Sequence, residues 1–75
     1  MKFRKYKVII EPDEPKGFHA WVPALRGCHS AGMTVAEAKR NIREAIDVYL
    51  ESLGERGLPI PRESTRVAEV QVEVA

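Results

Sequence analysis

The sequence has little cysteine, little histidine and no long apolar run. One cysteine among 75 residues excludes a disulfide within the chain, and two histidines add too few ligands for a closed zinc site without a carboxylate. No apolar run approaches the ~20 residues of a membrane span, and no signal-peptide pattern opens the chain. We therefore expect a cytoplasmic protein without metal, cofactor or membrane contact.

An excess of one charge is also absent. The formal net charge is +1, with 44% hydrophobic and 31% charged residues, which gives no reason to expect strong non-specific binding of nucleic acid. A chain of this length buries only ~60% of its unfolded surface, so its core is marginal. Because neither a disulfide nor a closed zinc site is available, we expect self-association, as a homodimer or homotetramer.

Three segments in the first half of the chain have the pattern of strands. Residues 3–11 alternate between two faces, and residues 18–22 and 28–31 follow after turns rich in proline and glycine. In the second strand, the uniformly apolar face is assigned to the core, which leaves His19 and Trp21 on the other face.

A helix is predicted over 35–53, because apolar residues recur there at helical spacing. Thr34 and Glu37 form a capping box in which Thr34 accepts from the Glu37 amide and Glu37 reaches back to the Thr34 amide. Two glycines, Gly54 and Gly57, are placed past the helix end as capping residues. The turn and short strand before the helix carry Gly27, Cys28 and Gly32, which we interpret as structural.

The last segment, residues 66–74, alternates cleanly and predicts a fourth strand with one wet face. Its Val70, Val72 and Val74 are assigned to an edge that pairs with another chain. The element order is then β-β-β-α-β, an α+β fold in which one helix packs on one face of an antiparallel sheet.

Many of these residues occur in the order and spacing of a known family, between residues 6 and 61. The chain resembles the HicB-like antitoxins of prokaryotic toxin–antitoxin pairs in a tyrosine-led strand, a glycine–aromatic pair, "VP" before "L.GC", a "G.T..EA" helix start and a "G.PIP" tail. The matching residues are Tyr6, Gly17, Phe18, Val22, Pro23, Leu25, Gly27, Cys28, Gly32, Thr34, Glu37, Ala38, Ala45, Gly57, Pro59, Ile60 and Pro61.

This resemblance implies a partial RNase-H-like fold and a role in binding. Its members block a small HicA toxin, which resembles a double-stranded RNA-binding domain and cleaves mRNA. Many members also carry a DNA-binding module after this domain, whereas we expect a single domain over 1–75, so that DNA binding is not carried over. Met33 also departs from the family, since an acidic residue often stands there.

Cys28 is the one candidate nucleophile, with His19 or His29 as its activating partner. A small buried strand residue is the favoured interpretation. Strand alternation places Cys28 and His29 on opposite faces, so that they cannot easily hold one metal ion. The carboxylates of the predicted strands form no set that converges on metal ions, and we expect no enzymatic activity.

Partner binding is predicted for His19, Trp21, Lys5 and Lys7. Tryptophan is enriched at the centres of interfaces, and the two lysines belong to a basic stretch that also fits a solvated strand face. Two alternatives to the antitoxin remain: a homo-oligomeric regulatory module without a toxin, and a degenerate RNase-H-like protein that binds RNA.

Overall fold

The computed structural model describes residues 3–75 and contains three strands followed by one helix. The strands are β1 (Ile9–Pro12), β2 (Phe18–Trp21) and β3 (His29–Gly32), and the helix is α1 (Val35–Glu55). The strands form an antiparallel sheet in the order β1-β2-β3. The predicted α+β class and the β-β-β-α order are confirmed.

The first strand is shorter than the predicted 3–11. Its register pairs Ile9 with Trp21, and continued for two more residues it would set Lys7 opposite Pro23. Proline has no N–H to donate to a ladder, so the ladder does not extend that far. Residues 3–8 continue outside the sheet.

The core lies between the sheet and α1. The helix packs chiefly over β3 and β2 and only lightly over β1. Leu25 and Ile42 are the largest fully buried side chains, each worth about 1.5–3 kcal/mol on burial. The assignment of the second strand's apolar face to the core is confirmed. The buried residues are Ala20, Val22, Leu25, Cys28, Ala38 and Ile42.

Helix α1 begins with the predicted cap, changed in one bond. The Glu37 amide donates to Thr34 Oγ1 at 3.0 Å, as predicted. The Glu37 carboxylate, however, accepts from the Met33 amide at 3.2 Å and not from the Thr34 amide. This bond satisfies a donor that the turn after β3 would otherwise leave to solvent.

The helix runs two residues past the predicted end. Gly54 is helical and does not terminate α1, which corrects the prediction. Gly57 has φ 65°, and its amide donates to the Gly54 carbonyl at 3.2 Å while the Leu58 amide donates to the Leu53 carbonyl at 2.9 Å. These two bonds define a Schellman motif, in which Gly57 is the left-handed residue. Within residues 3–75, no helix has the length and apolarity needed to cross a membrane.

Two glycines shape the approach to the helix. Gly27 has φ 79°, a conformation that side chains with a Cβ rarely adopt. A Cβ on Gly32 would lie 2.4 Å from the Ala38 nitrogen, so β3 and α1 can approach this closely only at a glycine. A residue with a Cβ would therefore be strained at Gly27 and would clash at Gly32.

The chain after α1 first contacts the segment before β1 and then extends away from the sheet and the helix. Residues 61–65, which we call the clasp, lie beside the segment before β1. The Tyr6 hydroxyl donates to the Pro61 carbonyl at 2.7 Å and the Lys7 amide donates to Glu63 Oε2 at 2.8 Å.

Residues 66–75, which we call the arm, are exposed throughout and form no strand within the described chain. The predicted fourth strand is therefore missing from the sheet. A strand requires a hydrogen-bonded neighbour, and the arm reaches none among residues 3–75.

Candidate protein-binding face

The sheet face turned away from α1 carries six side chains in a two-by-three array. The register aligns them in two rows across the three strands. Because alternate residues of a strand share a face, this array is the counterpart of the buried face below it. We call it the outer face; its rows are Ile9, Trp21 and His29, and Glu11, His19 and Ala31.

Trp21 is the largest side chain of the outer face and is fixed in place. Its indole Nε1 donates to Glu11 Oε1 at 2.8 Å, and the residue remains 38% exposed. The bond uses the indole's polar atom and leaves apolar ring surface in contact with solvent. A ring held in one orientation loses little conformational entropy when a partner covers it.

Two imidazoles lie diagonally across the same face. The ring centroids of His19 and His29 are 5.5 Å apart, with 34° between the ring planes. Together with Trp21, they line a shallow groove of about 440 Å³ that continues over Pro23 and Arg26. The predicted sharing of one face by His19 and Trp21 is confirmed.

Lys5 and Lys7 lie outside this array. Both are exposed and belong to the extended segment that precedes β1. Lys7 also forms an ion pair with the clasp, in which its Nζ is 4.0 Å from Glu63 Oε1. The structure thus brings His19 and Trp21 together, and it leaves the two lysines on the segment that leads into the face.

Cys28 is a core residue. It is 5% exposed, and burial raises the pKa of its thiol. A raised pKa reduces the thiolate fraction at neutral pH, the opposite of what an activated nucleophile requires. His29, the adjacent residue, is exposed on the outer face, so the prediction that the two point to opposite faces is confirmed.

The carboxylates nearest the sheet hold structural hydrogen bonds. Glu11 accepts from the Trp21 indole, Glu37 caps the helix, and Glu63 accepts from the amides of Lys7 and Thr65. In the part of the chain that the structure describes, no three histidine, cysteine or acidic side chains gather as a metal site.

Sequence reasoning missed four members of the outer face. Ile9 and Glu11 come from β1, and His29 and Ala31 come from β3. Alternation within one strand shows which residues share a side, but only the register between strands shows which residues become neighbours. The pairing of Glu11 with the Trp21 ring had no signal in the sequence.

The fold is that of a small α+β domain with a preformed, partly apolar sheet face. The chain belongs to the HicB-like antitoxin family of bacterial toxin–antitoxin systems, which it matches over residues 6–74. Membership of this family supports a non-enzymatic role as an antitoxin. It also implies that the partner is a toxin.

Similar proteins occur in several microbes. A UPF0150 protein of Synechocystis is 44% identical over 69 residues, covering 92% of this chain and 87% of that protein. A UPF0150 protein of Thermoplasma acidophilum is 48% identical over 60 residues, covering 80% of this chain and 87% of that protein. No solved structure matches the chain, so the likeness to a partial RNase-H-like fold stays a prediction.

Proposed function

We propose that this protein neutralises a small HicA-like, mRNA-cleaving toxin by covering the toxin's active site with the outer face. The observation that carries the proposal is Trp21, an exposed indole fixed by Glu11 in the middle of one row of the partly apolar outer face. A toxin of this kind acts on mRNA, which places the encounter in the cytoplasm.

Steric masking suits this face, because the contact is made by a rigid sheet. The array stands on β-strands that are backed by the buried core, so a partner meets a surface that needs little reorganisation. Aromatic anchors supply much of the energy in such contacts, and the surrounding residues exclude water from them. Ile9 and Ala31 provide the apolar surroundings, while His19 and His29 provide ring nitrogens for hydrogen bonds.

Lys5 and Lys7 are suited to the margin of the same interface. Their exposure allows ionic contacts with acidic groups of a partner, and such contacts speed association more than they add affinity. Their substitution should therefore change the association rate and its salt dependence, whereas substitution at Trp21 should change the dissociation rate.

The test is a Trp21→Ala variant, assayed for relief of toxicity in co-expression and for binding by calorimetry with a HicA-like protein encoded next to this one. We expect the dissociation constant to rise about 30-fold, corresponding to about 2 kcal/mol at an anchoring tryptophan. The matched control is Val35→Ala, since Val35 is an exposed apolar residue of α1 and does not line the groove of His19, Trp21 and His29.

Thermal unfolding of both variants shows whether they remain folded. Unchanged affinity in a folded Trp21→Ala variant would falsify masking by the outer face. Equal losses in the two variants would also count against it, because the contact would then not be specific to this side of the sheet.

A further inference from the structure

The arm, residues 66–75, is an unpaired strand sequence. Its valines at 67, 70, 72 and 74 are 68–84% exposed, and no hydrogen bond between described residues outside the strands and helix involves it. The Cα radius of gyration is 14.7 Å, against about 11 Å for a compact domain of this length. Strict alternation exposed on both faces indicates that the arm is completed by something outside its own fold.

The β1 edge of the sheet is open and can accept the arm as a further strand. The Asp13 amide donates to the Gly17 carbonyl at 2.9 Å, so in an antiparallel ladder Glu11 also directs its backbone groups toward β2. The residues between, Ile10 and Pro12, direct theirs away from the sheet. Pro12 has no N–H, which fits an edge position, and the Ile10 amide and carbonyl remain available for a further strand.

The opposite edge is less accessible. There, the Asn41 side chain of α1 donates from Nδ2 to the Ala31 carbonyl of β3 at 2.8 Å. The helix also packs most closely over β3. A strand that adds to this sheet is therefore directed to the β1 edge.

A groove beside the segment before β1 matches the apolar face of the arm. Because α1 covers β1 only lightly, the flank of the helix that bears Ile46 and Leu50 faces a groove of about 920 Å³, which Tyr6 and Ile60 also line. As a fourth strand, the arm would fill this groove with the side chains of its apolar face and so cover the exposed flank of α1. That face consists of Ala68, Val70, Val72 and Val74.

The charges of the arm and of the segment before β1 are also complementary, and the arm is long enough to pair with β1. Lys5 is exposed on the segment before β1 and alternates onto the same side as Ile9, which is the side on which Glu69 and Glu73 of the added arm would lie. Opposite charges on adjacent strands stabilise their pairing. The arm's nine alternating residues span about 30 Å at ~3.3 Å per residue, long enough to cover the four residues of β1 and to reach the segment before it.

We propose that two copies of this chain exchange arms, each arm adding as a fourth strand to the open β1 edge of the other copy. The clasp fixes where each arm leaves its own domain, and from there the arm runs into solvent and not along its own β1. The second copy also enlarges the outer face, since Glu69, Gln71 and Glu73 would lie beside β1 on that side. The exchange stands on these contacts alone and does not depend on the proposed toxin.

The first test is the solution mass of the full-length protein by light scattering, for Val70→Asp/Val72→Asp and for the control Gln71→Asp. We expect a dimer for the unchanged chain and for the control, and a monomer for the double variant. Because the arm is exposed in the monomer, circular dichroism should show the same folded domain in all three. A monomeric unchanged chain, or a dimeric double variant, would overturn the proposal.

The second test separates arm-to-edge exchange from pairing of the two arms with each other. Glu69→Lys/Glu73→Lys and Lys5→Glu should each raise the dimer dissociation constant about tenfold at low salt. Mixing the two variants should restore the dimer, because each arm then meets an edge of opposite charge. Dimers unaffected by the Lys5→Glu change, or no recovery on mixing, would rule out exchange onto the β1 edge.

Discussion

At the scale of single residues, a close approach of strand β3 and helix α1 depends on the absence of a side chain. Gly32 ends β3 directly under the first turns of α1, where the backbone of Ala38 occupies the space that a Cβ would need. Gly54 provides the contrast, since it is helical and a Cβ there would meet nothing within 4 Å. The same residue type is thus required at one position and unfavourable at the other.

Gly32→Ala should lower the free energy of unfolding by about 2–3 kcal/mol, because the strand and helix must separate to admit the methyl group. Gly54→Ala should raise it by about 0.5 kcal/mol, since alanine has the higher helix propensity and no clash. Urea unfolding measures both changes. Equal effects of the two substitutions would contradict the packing described for Gly32.

At the scale of elements, helix α1 is defined at both ends by local hydrogen bonds. Thr34 closes its first turn and the Schellman motif around Gly57 closes its last. The core face between them holds Ala38 and Ile42 against the sheet. Element boundaries in this protein therefore depend on caps as much as on apolar spacing.

Thr34→Ala should destabilise the protein by about 1 kcal/mol through loss of the bond to the Glu37 amide. Thr34→Ser should retain most of the stability, because serine offers the same acceptor. Thermal unfolding followed by circular dichroism compares the two variants. If serine proves as costly as alanine, the hydroxyl is not the stabilising group.

Much of this fold can be predicted from local sequence signals. The three strands and the helix follow from alternation, helical spacing and turn residues, and the core side of β2 follows from its uniformly apolar face. The predicted end of the helix was wrong, because Gly54 and Gly57 are equally good candidates for the capping glycine in the sequence. Only the backbone hydrogen bonds of the structure distinguish them. The fourth strand and the neighbours of Trp21 depend on pairing partners, which no single segment specifies.

At the scale of the whole molecule, the clasp joins the two ends of the fold. Glu63 accepts from the amides of both Lys7 and Thr65, and these bonds, that of Lys7 foremost, lower the pKa of its carboxyl. A lowered pKa in the folded state means that the stabilising contribution is present above the ordinary pKa and is lost as the pH falls through the lowered value.

The clasp should therefore hold from neutral pH down to the ordinary glutamate pKa of about 4.3 and loosen only in more acidic solution. The amide resonance of Lys7 in nuclear magnetic resonance spectra should move in that acidic range. Glu63→Gln should remove this titration, whereas Glu69→Gln, on the arm, should leave it intact. A Lys7 resonance that titrates identically in the Glu63→Gln protein would show that another group is responsible.

The two edges of the sheet are unequal, and this inequality limits growth. Asn41 occupies a backbone acceptor on one edge, while the other can take a single added strand. Each chain supplies one such strand, so a reciprocal pair would leave no free arm and no open β1 edge for a third copy. Head-to-tail growth, in which each arm joins the next copy in an open-ended chain, would then have no site from which to continue.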